Sequence, residues 1–299
     1  MMSKKTLIYI GGPTASGKTS VAVEIAKYFS TEIISCDSRQ FYKEMSIGTA
    51  IPNKKELLEI KHHFIQDRSV INHLSVGEYE IEAIKLIDTI FKDNNYVVLV
   101  GGSGLYADSI INGLDLIPKV SEENIEFVND IYKKKGLYQI KKLLKIKDPV
   151  FYNKTDLNNP RRLIRALSVC LETNKPFSSF IGKLNSKRDF NCFIYILNDD
   201  REKLYEKINL RVDNMIKKGL EDEVKSLSKY MNLKPLNTVG YKEWISYWSS
   251  SCDKNSVIEE IKKNTRRYAK RQLTWFRRYK SAKWIETEAS INSIINHHK

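Results

Sequence analysis

No apolar run in this sequence approaches the roughly 18 residues of a membrane span, and the N-terminus lacks the apolar core and cleavage site of a secretory signal. A membrane partner is therefore not expected, and the cytoplasm is the expected compartment. Cysteine is scarce. Cys36, Cys170, Cys192 and Cys252 lie far apart with no C-x-x-C pair, which indicates neither a disulfide framework nor a zinc knuckle; all four read as buried thiols. There is no internal repeat or low-complexity segment, and the last dozen residues are expected to fray. What remains is 299 residues, 41% of them hydrophobic, enough for one large domain or two modest ones around a real core.

Acidic residues are also in short supply: 36 against 50 Lys and Arg give a net charge of +14. A Lys-rich surface can serve solubility alone, so the distribution matters more than the total. Residues 262 to 283, "KKNTRRYAKRQLTWFRRYKSAK", hold ten basic residues and no acidic one. Tyr268, Trp275, Phe276 and Tyr279 are interleaved among them. This reads as a nucleic-acid contact in which Arg266, Arg267, Lys270 and Arg271 meet phosphates; the competing reading is a solvated helix face over an aromatic core stripe.

The first hundred residues alternate short β-rich runs with helical ones: "TLIYI", a helix from Lys18 to Phe29, "EIISC", an amphipathic stretch from Val76 to Lys92, then "YVVLVGG". That alternation predicts an α/β fold, a parallel sheet with helices on both faces and its ligand beyond the carboxyl ends of the strands. After Pro118 the texture turns helical and basic until "FNCFIYIL" at 190 to 197. Residues 117–189 therefore read as a helical insertion, with 1–116 and 190–299 as the core and everything after the returning strand as helix.

Three polar signatures fall at the predicted strand ends. The first, "GGPTASGKTS", has the Gly12-x-x-x-x-Gly17-Lys18-Thr19 spacing of a phosphate-cradling loop. Its glycines let backbone N–H groups approach an anion, the next helix turns its positive end toward it, and Lys18 adds a charge. The second, "SCDSRQ", sets Asp37 facing the loop, as a general base, a magnesium ligand or simply an N-cap or Asx-turn residue. The third, "GGSGLY", places Ser103 where its hydroxyl could make a second anion contact. "VVLVGG" ends without the acidic residue that many phosphate-loop NTPases use to hold magnesium, which weakens an ATPase reading. Arg161, Arg162 and Arg165 recur on one side of a helix, as do Arg211 and Met215, and an arginine over a phosphate loop would neutralise a departing diphosphate. His62 and His63 lack metal-ligand spacing and read as hydrogen-bonded structural residues.

In their order along the chain, "GPTASGKT", "SCDSRQFYKEMSIGTAIPN", "HHFIQD", "VGGSGLY", "NPRRLIRAL", "TVGYKE" and "YAKRQLTWFRR" resemble the tRNA dimethylallyltransferases over nearly the whole length. The resemblance implies a phosphate-loop fold that transfers a dimethylallyl group from dimethylallyl diphosphate to N6 of an adenosine beside the tRNA anticodon, with Mg2+ and no ATP hydrolysis. It implies that Gly12, Pro13, Thr14, Ala15, Ser16, Gly17, Lys18 and Thr19 hold the diphosphate, with Thr19 toward the metal. Asp37 matches the family's base, Arg211 an arginine that helps bind diphosphate, and Lys18 and Ser103 complete the catalytic set. Asp37, Ser38, Arg39 and Gln40, and Arg161, Arg162, Leu163, Ile164 and Arg165, match its tRNA-contacting segments. Ser103 stands where the family commonly has Thr, Ile51 where Lys is frequent, and Gln66 departs from its "HHLID". No zinc-finger extension is present, and a compact bacterial form acting as a monomer on the anticodon stem-loop is expected. The alternatives are a small-molecule or nucleotide kinase, an isopentenyltransferase of free adenine nucleotides, and a non-enzymatic RNA-binding protein.

Overall fold

The run Thr6–Gly11 forms strand β1 of the computed structural model, which describes residues 5–182 and 188–299, and all six residues are buried. Continuous burial follows from helices covering both faces of a parallel sheet. Alternate side chains serve opposite faces: Leu7 and Tyr9 enter one apolar cluster, Ile8 and Ile10 another. From β1 the chain passes through the phosphate loop into α1 (Lys18–Tyr28), then β2 (Ile33–Ser35), α2 (Lys54–Glu59), β3 (His62–His63), α3 (Val76–Asp93), β4 (Tyr96–Val100) and α4 (Gly104–Ile111). Helix α3 starts sharply because Ser75 and Glu78 form a reciprocal capping box.

The chain divides into two compact units, one comprising the chain up to Ile111 together with Arg188–Lys299, the other Asn112–Lys187. The second unit is helical: α5 (Glu122–Lys147), α6 (Pro149–Lys154) and α7 (Pro160–Thr173), around Val128, Ile140, Leu144, Phe151, Leu163 and Leu167. Its buried Asp148 accepts from the N–H groups of Phe151 and Ser178 at 2.9 and 2.6 Å, so one carboxylate caps α6 and anchors the following turn. The unit begins five residues before the expected 117; at its other end the expected limit of 189 follows residues 183–187, which lie outside the described residues.

The first unit resumes with β5 (Asn191–Leu197), α8 (Arg201–Lys217), α9 (Leu220–Ser226), α10 (Trp244–Trp248), α11 (Lys254–Phe276), β6 (Lys283–Ile285) and α12 (Ser290–His297). The sheet order is β3-β2-β4-β1-β5-β6 and every described pairing is parallel. The parallel α/β sheet is as expected. The helical reading of everything after β5 is not: turns and short 3-10 segments fill 227–243, and β6 adds an edge strand. Most of the last dozen residues, expected to fray, form α12, which buries Ile294 completely against the cluster that contains α1. Of the four free cysteines only Cys36 and Cys170 are buried; Cys192 and Cys252 are partly exposed.

Candidate active site at the phosphate loop

A cavity of about 220 Å³ opens where the carboxyl ends of β1, β2 and β4 meet. Its walls include Thr14, Ala15, Gly17, Lys18 and Thr19 of the phosphate loop, Asp37 and Gln40 of the turn after β2, and Arg211 of α8. Residues up to 197 positions apart in the sequence are thus gathered by strand order. The loop needs its glycine at the helix start. Gly17 is left-handed at φ 76° and, having no side chain, leaves the first turn of α1 uncapped toward the cavity. Lys18 folds back to donate from Nζ to the Pro13 carbonyl at 2.6 Å. Burial pulls its ammonium down to about 8; Arg211 pushes the same way by repulsion, and Asp37 and Cys36 oppose it.

Asp37 opens a turn in which its Oδ1 accepts from the Arg39 N–H at 3.2 Å and its carbonyl from the Gln40 N–H at 2.9 Å. The Asx-turn reading and the cavity-facing reading are both satisfied by the one residue. Gly101 allows this closeness: its φ is 159° and a Cβ there would lie 2.7 Å from the Asp37 nitrogen. Ser103 supports the turn from the side, its Oγ receiving the Ser38 N–H at 3.2 Å and lying 3.1 Å from the Ser38 hydroxyl. That hydroxyl therefore braces the Asp37 turn and is not among the groups lining the cavity.

Arg211 donates to the Thr49 carbonyl at 3.3 Å, and burial lowers its pKa while leaving it a cation. The wall that carries Thr49, Ala50, Ile51 and Pro52 is held by a residue sequence reading did not single out. Glu223 of α9 accepts from the N–H groups of Ser46, Ile47 and Gly48 at 2.9, 2.7 and 3.0 Å and from the Tyr241 hydroxyl at 2.7 Å. Three amides converging on one carboxylate make an internal anion nest. Glu223 signals itself only as an unremarkable helix residue, and Tyr241 only by standing in "TVGYKE", where no role had been given to it. Gln272 and Thr287 were also missed: Gln272 reaches Thr14, and the Thr287 hydroxyl donates to the Ser16 carbonyl at 3.1 Å.

His62 and His63 form the two-residue edge strand β3, with His62 Nδ1 2.8 Å from the Ile60 carbonyl and His63 Nε2 2.5 Å from Glu32. Both are hydrogen-bonded, and His62 also lines the cavity. On α11, Arg267, Lys270 and Arg271 are exposed, whereas Arg266 is partly buried and bonded to Asn209 at 2.6 Å. The aromatic residues interleaved with them pack inward rather than standing free for stacking on bases: Phe276 is fully buried, Trp275 and Tyr279 lie against the core, and the Arg39 guanidinium covers Tyr268 at 4.0 Å. In the helical unit Arg161, Arg162 and Arg165 are exposed on α7, whereas Leu163 and Ile164, read from the sequence as part of the same tRNA-contacting segment, face that unit's own core, Leu163 wholly buried and Ile164 partly so.

A family model described as IPP transferase matches residues 40–279. The sequence is 48% identical over 291 residues to the tRNA dimethylallyltransferase of Christiangramia forsetii, covering 97% of this chain and 96% of that protein. It is 44% identical to the corresponding enzyme of Flavobacterium johnsoniae, covering 98% and 97%. Both alignments are long enough to take in the phosphate loop and Asp37, which precede the span of the family model. Among solved structures, the tRNA isopentenylpyrophosphate transferase of Bacillus halodurans superimposes with a TM-score of 0.73 at 33% identity, covering 99% of this chain and 96% of that one.

Proposed function

This chain belongs to the IPP transferase family, and from that premise we propose how the cavity beyond β1, β2 and β4 carries out the family's reaction. The enzyme transfers a dimethylallyl group from dimethylallyl diphosphate to N6 of an adenosine beside the anticodon of tRNA. The observation that carries the reading of the site is the meeting of a phosphate loop, a carboxylate and an arginine in one cavity: Lys18, Asp37 and Arg211.

The loop amides and Lys18 bind the diphosphate, the end of the donor that departs, and Arg211 shares its charge. N6 of adenine is a weak nucleophile because its lone pair is delocalised into the ring. The adenosine must also leave its stack to enter a cavity, at a cost of a few kcal/mol. Asp37 accepts a proton from N6 as the new C–N bond forms and the donor's C–O bond breaks, and the leaving diphosphate carries away the electron pair. Among the described residues no cluster of three or more His, Cys, Asp or Glu could hold a metal by itself. The Thr19 hydroxyl on the cavity wall nevertheless fits a Mg2+ that takes its remaining ligands from diphosphate and water, as that ion prefers. When bound, it would neutralise charge on the leaving group. The exposed arginines of α7 and the basic face of α11 meet tRNA phosphates. The proposed form is a monomer acting in the cytoplasm, and the residues assigned to the reaction can all come from one chain.

The test is transfer of label from dimethylallyl diphosphate into bulk tRNA with Mg2+, ATP being the comparison donor. Label on adenosine N6 is the expected result; phosphoryl transfer from ATP with no prenylation would overturn it.

A further inference from the structure

Gln272 lies on α11, is only 6% exposed, and belongs to none of the groups assigned above to substrate. Its amide makes two bonds of opposite sense. Oε1 accepts the Thr14 N–H of the phosphate loop at 2.9 Å, and Nε2 donates to the Gly102 carbonyl at 2.9 Å. The two partners fix which end is which, and only a carboxamide offers an acceptor and a donor side by side on one planar group. The fit is close: a Cβ on Gly102 would lie 2.2 Å from the Gln272 nitrogen, and one on Gly104 would lie 2.2 Å from the Trp275 ring. Helix α11 therefore sits directly on the "GGSG" backbone because that backbone has no side chains there.

Each end of the amide leads to one half of the reaction. Thr14 belongs to the wall that receives the diphosphate. Gly102 adjoins Ser103, which braces the Asp37 turn through Ser38, and Gly101, which packs on the Asp37 nitrogen. We propose that Gln272 is a positioning residue that sets the register between the phosphate loop and the Ser103–Asp37 support, and so aligns the donor carbon with the proton acceptor. This rests on the roles given above to the loop and to Asp37. Displacement of one reactant by about 1 Å costs up to roughly a hundredfold in rate. Loss of this register should therefore appear in kcat, with the affinity for tRNA, held elsewhere by phosphate contacts, unchanged.

Three variants test it by steady-state kinetics with dimethylallyl diphosphate, tRNA and Mg2+, alongside thermal unfolding. Gln272→Ala removes both bonds; Gln272→Glu keeps the acceptor for Thr14 and loses the donor to Gly102. Gly102→Ala leaves Gln272 in the sequence but displaces its amide, the next neighbours of the added Cβ being the Cδ of Gln272 itself at 3.4 Å and the Gly12 carbonyl at 3.5 Å. Gln272→Ala and Gly102→Ala should each lower kcat by roughly ten- to a hundredfold with the KM for tRNA within about twofold of wild type. Their effects should not add, because the second change acts on a hydrogen bond that the first has already broken. A kcat within about twofold of wild type in folded variants, even with a lower Tm, makes Gln272 a purely structural residue and overturns the proposal; so does full additivity in the double variant. If Gln272→Ala fails to fold, Gly102→Ala decides. Absence of transfer by the wild type would instead overturn the functional reading on which the proposal rests.

Discussion

Burial holds the Lys18 ammonium below its ordinary range, so donor binding should depend on pH. Burial and the neighbouring Arg211 bring its ammonium to about 8. Below that pH the side chain is charged and ready to meet a diphosphate; above it, binding must first take up a proton. A bound polyanion restores the ammonium toward its ordinary range of about 10, so the two states differ by roughly two units, each worth about 1.4 kcal/mol. The apparent donor Kd should therefore be nearly flat from pH 6.5 to 7.5 and weaken about tenfold between pH 7 and 9. Other groups at the cavity do not produce this slope. Burial lowers His62 and leaves it neutral throughout, burial raises Cys36 out of range, and Arg211 remains charged. Calorimetric titration of dimethylallyl diphosphate at several pH values, in buffers of differing ionisation heat, measures both the slope and the proton uptake. Lys18→Arg should flatten the slope by keeping its charge, and Lys18→Ala should be flat and weaker throughout. A wild-type Kd that moves by less than about twofold between pH 7 and 9, or a Lys18→Ala protein with the wild-type slope, would refute the assignment.

Three further outcomes are expected. Asp37→Asn keeps the shape of the turn but loses the base, so kcat should fall roughly 10²–10⁴-fold with little change in either dissociation constant; rescue by high Mg2+ together with weak donor binding would make Asp37 a metal ligand instead. Neutralising Arg267, Lys270 and Arg271 should flatten the dependence of log tRNA affinity on log salt, by about one unit of slope for each phosphate left without its cation, and an unchanged slope would mark a solvated face. Ile294→Ala should cost about 2–4 kcal/mol in denaturant unfolding, since α12 packs where a fraying tail had been expected; a cost near zero would show that the terminus is loose.

Sequence alone determined the parts of this protein whose information lies between neighbouring residues. The phosphate loop is one contiguous motif, β1, β4 and β5 are apolar runs dense enough to declare themselves, and the amphipathic stretch from Val76 to Lys92 anticipates α3. Asp37 and Arg211 were recognisable as candidates, but only strand order brings them to one cavity. The short edge strands β3 and β6 were illegible because two or three residues carry no periodicity; pairing with β2 and β5 defines them. The side of α11 that would pack its aromatics, and the burial of Leu163 within a basic segment, depended on what lay beneath each helix. Gln272 and Glu223 show the limit most clearly. Their backbone partners are 258 and 170 positions away from Gln272 and 175 to 177 away from Glu223, and nothing in a Gln or a Glu on an amphipathic helix states whether it will meet water or a set of backbone groups. A hydrogen bond is a short-range, directional interaction, so its existence is decided when tertiary packing brings donor and acceptor within about 3 Å.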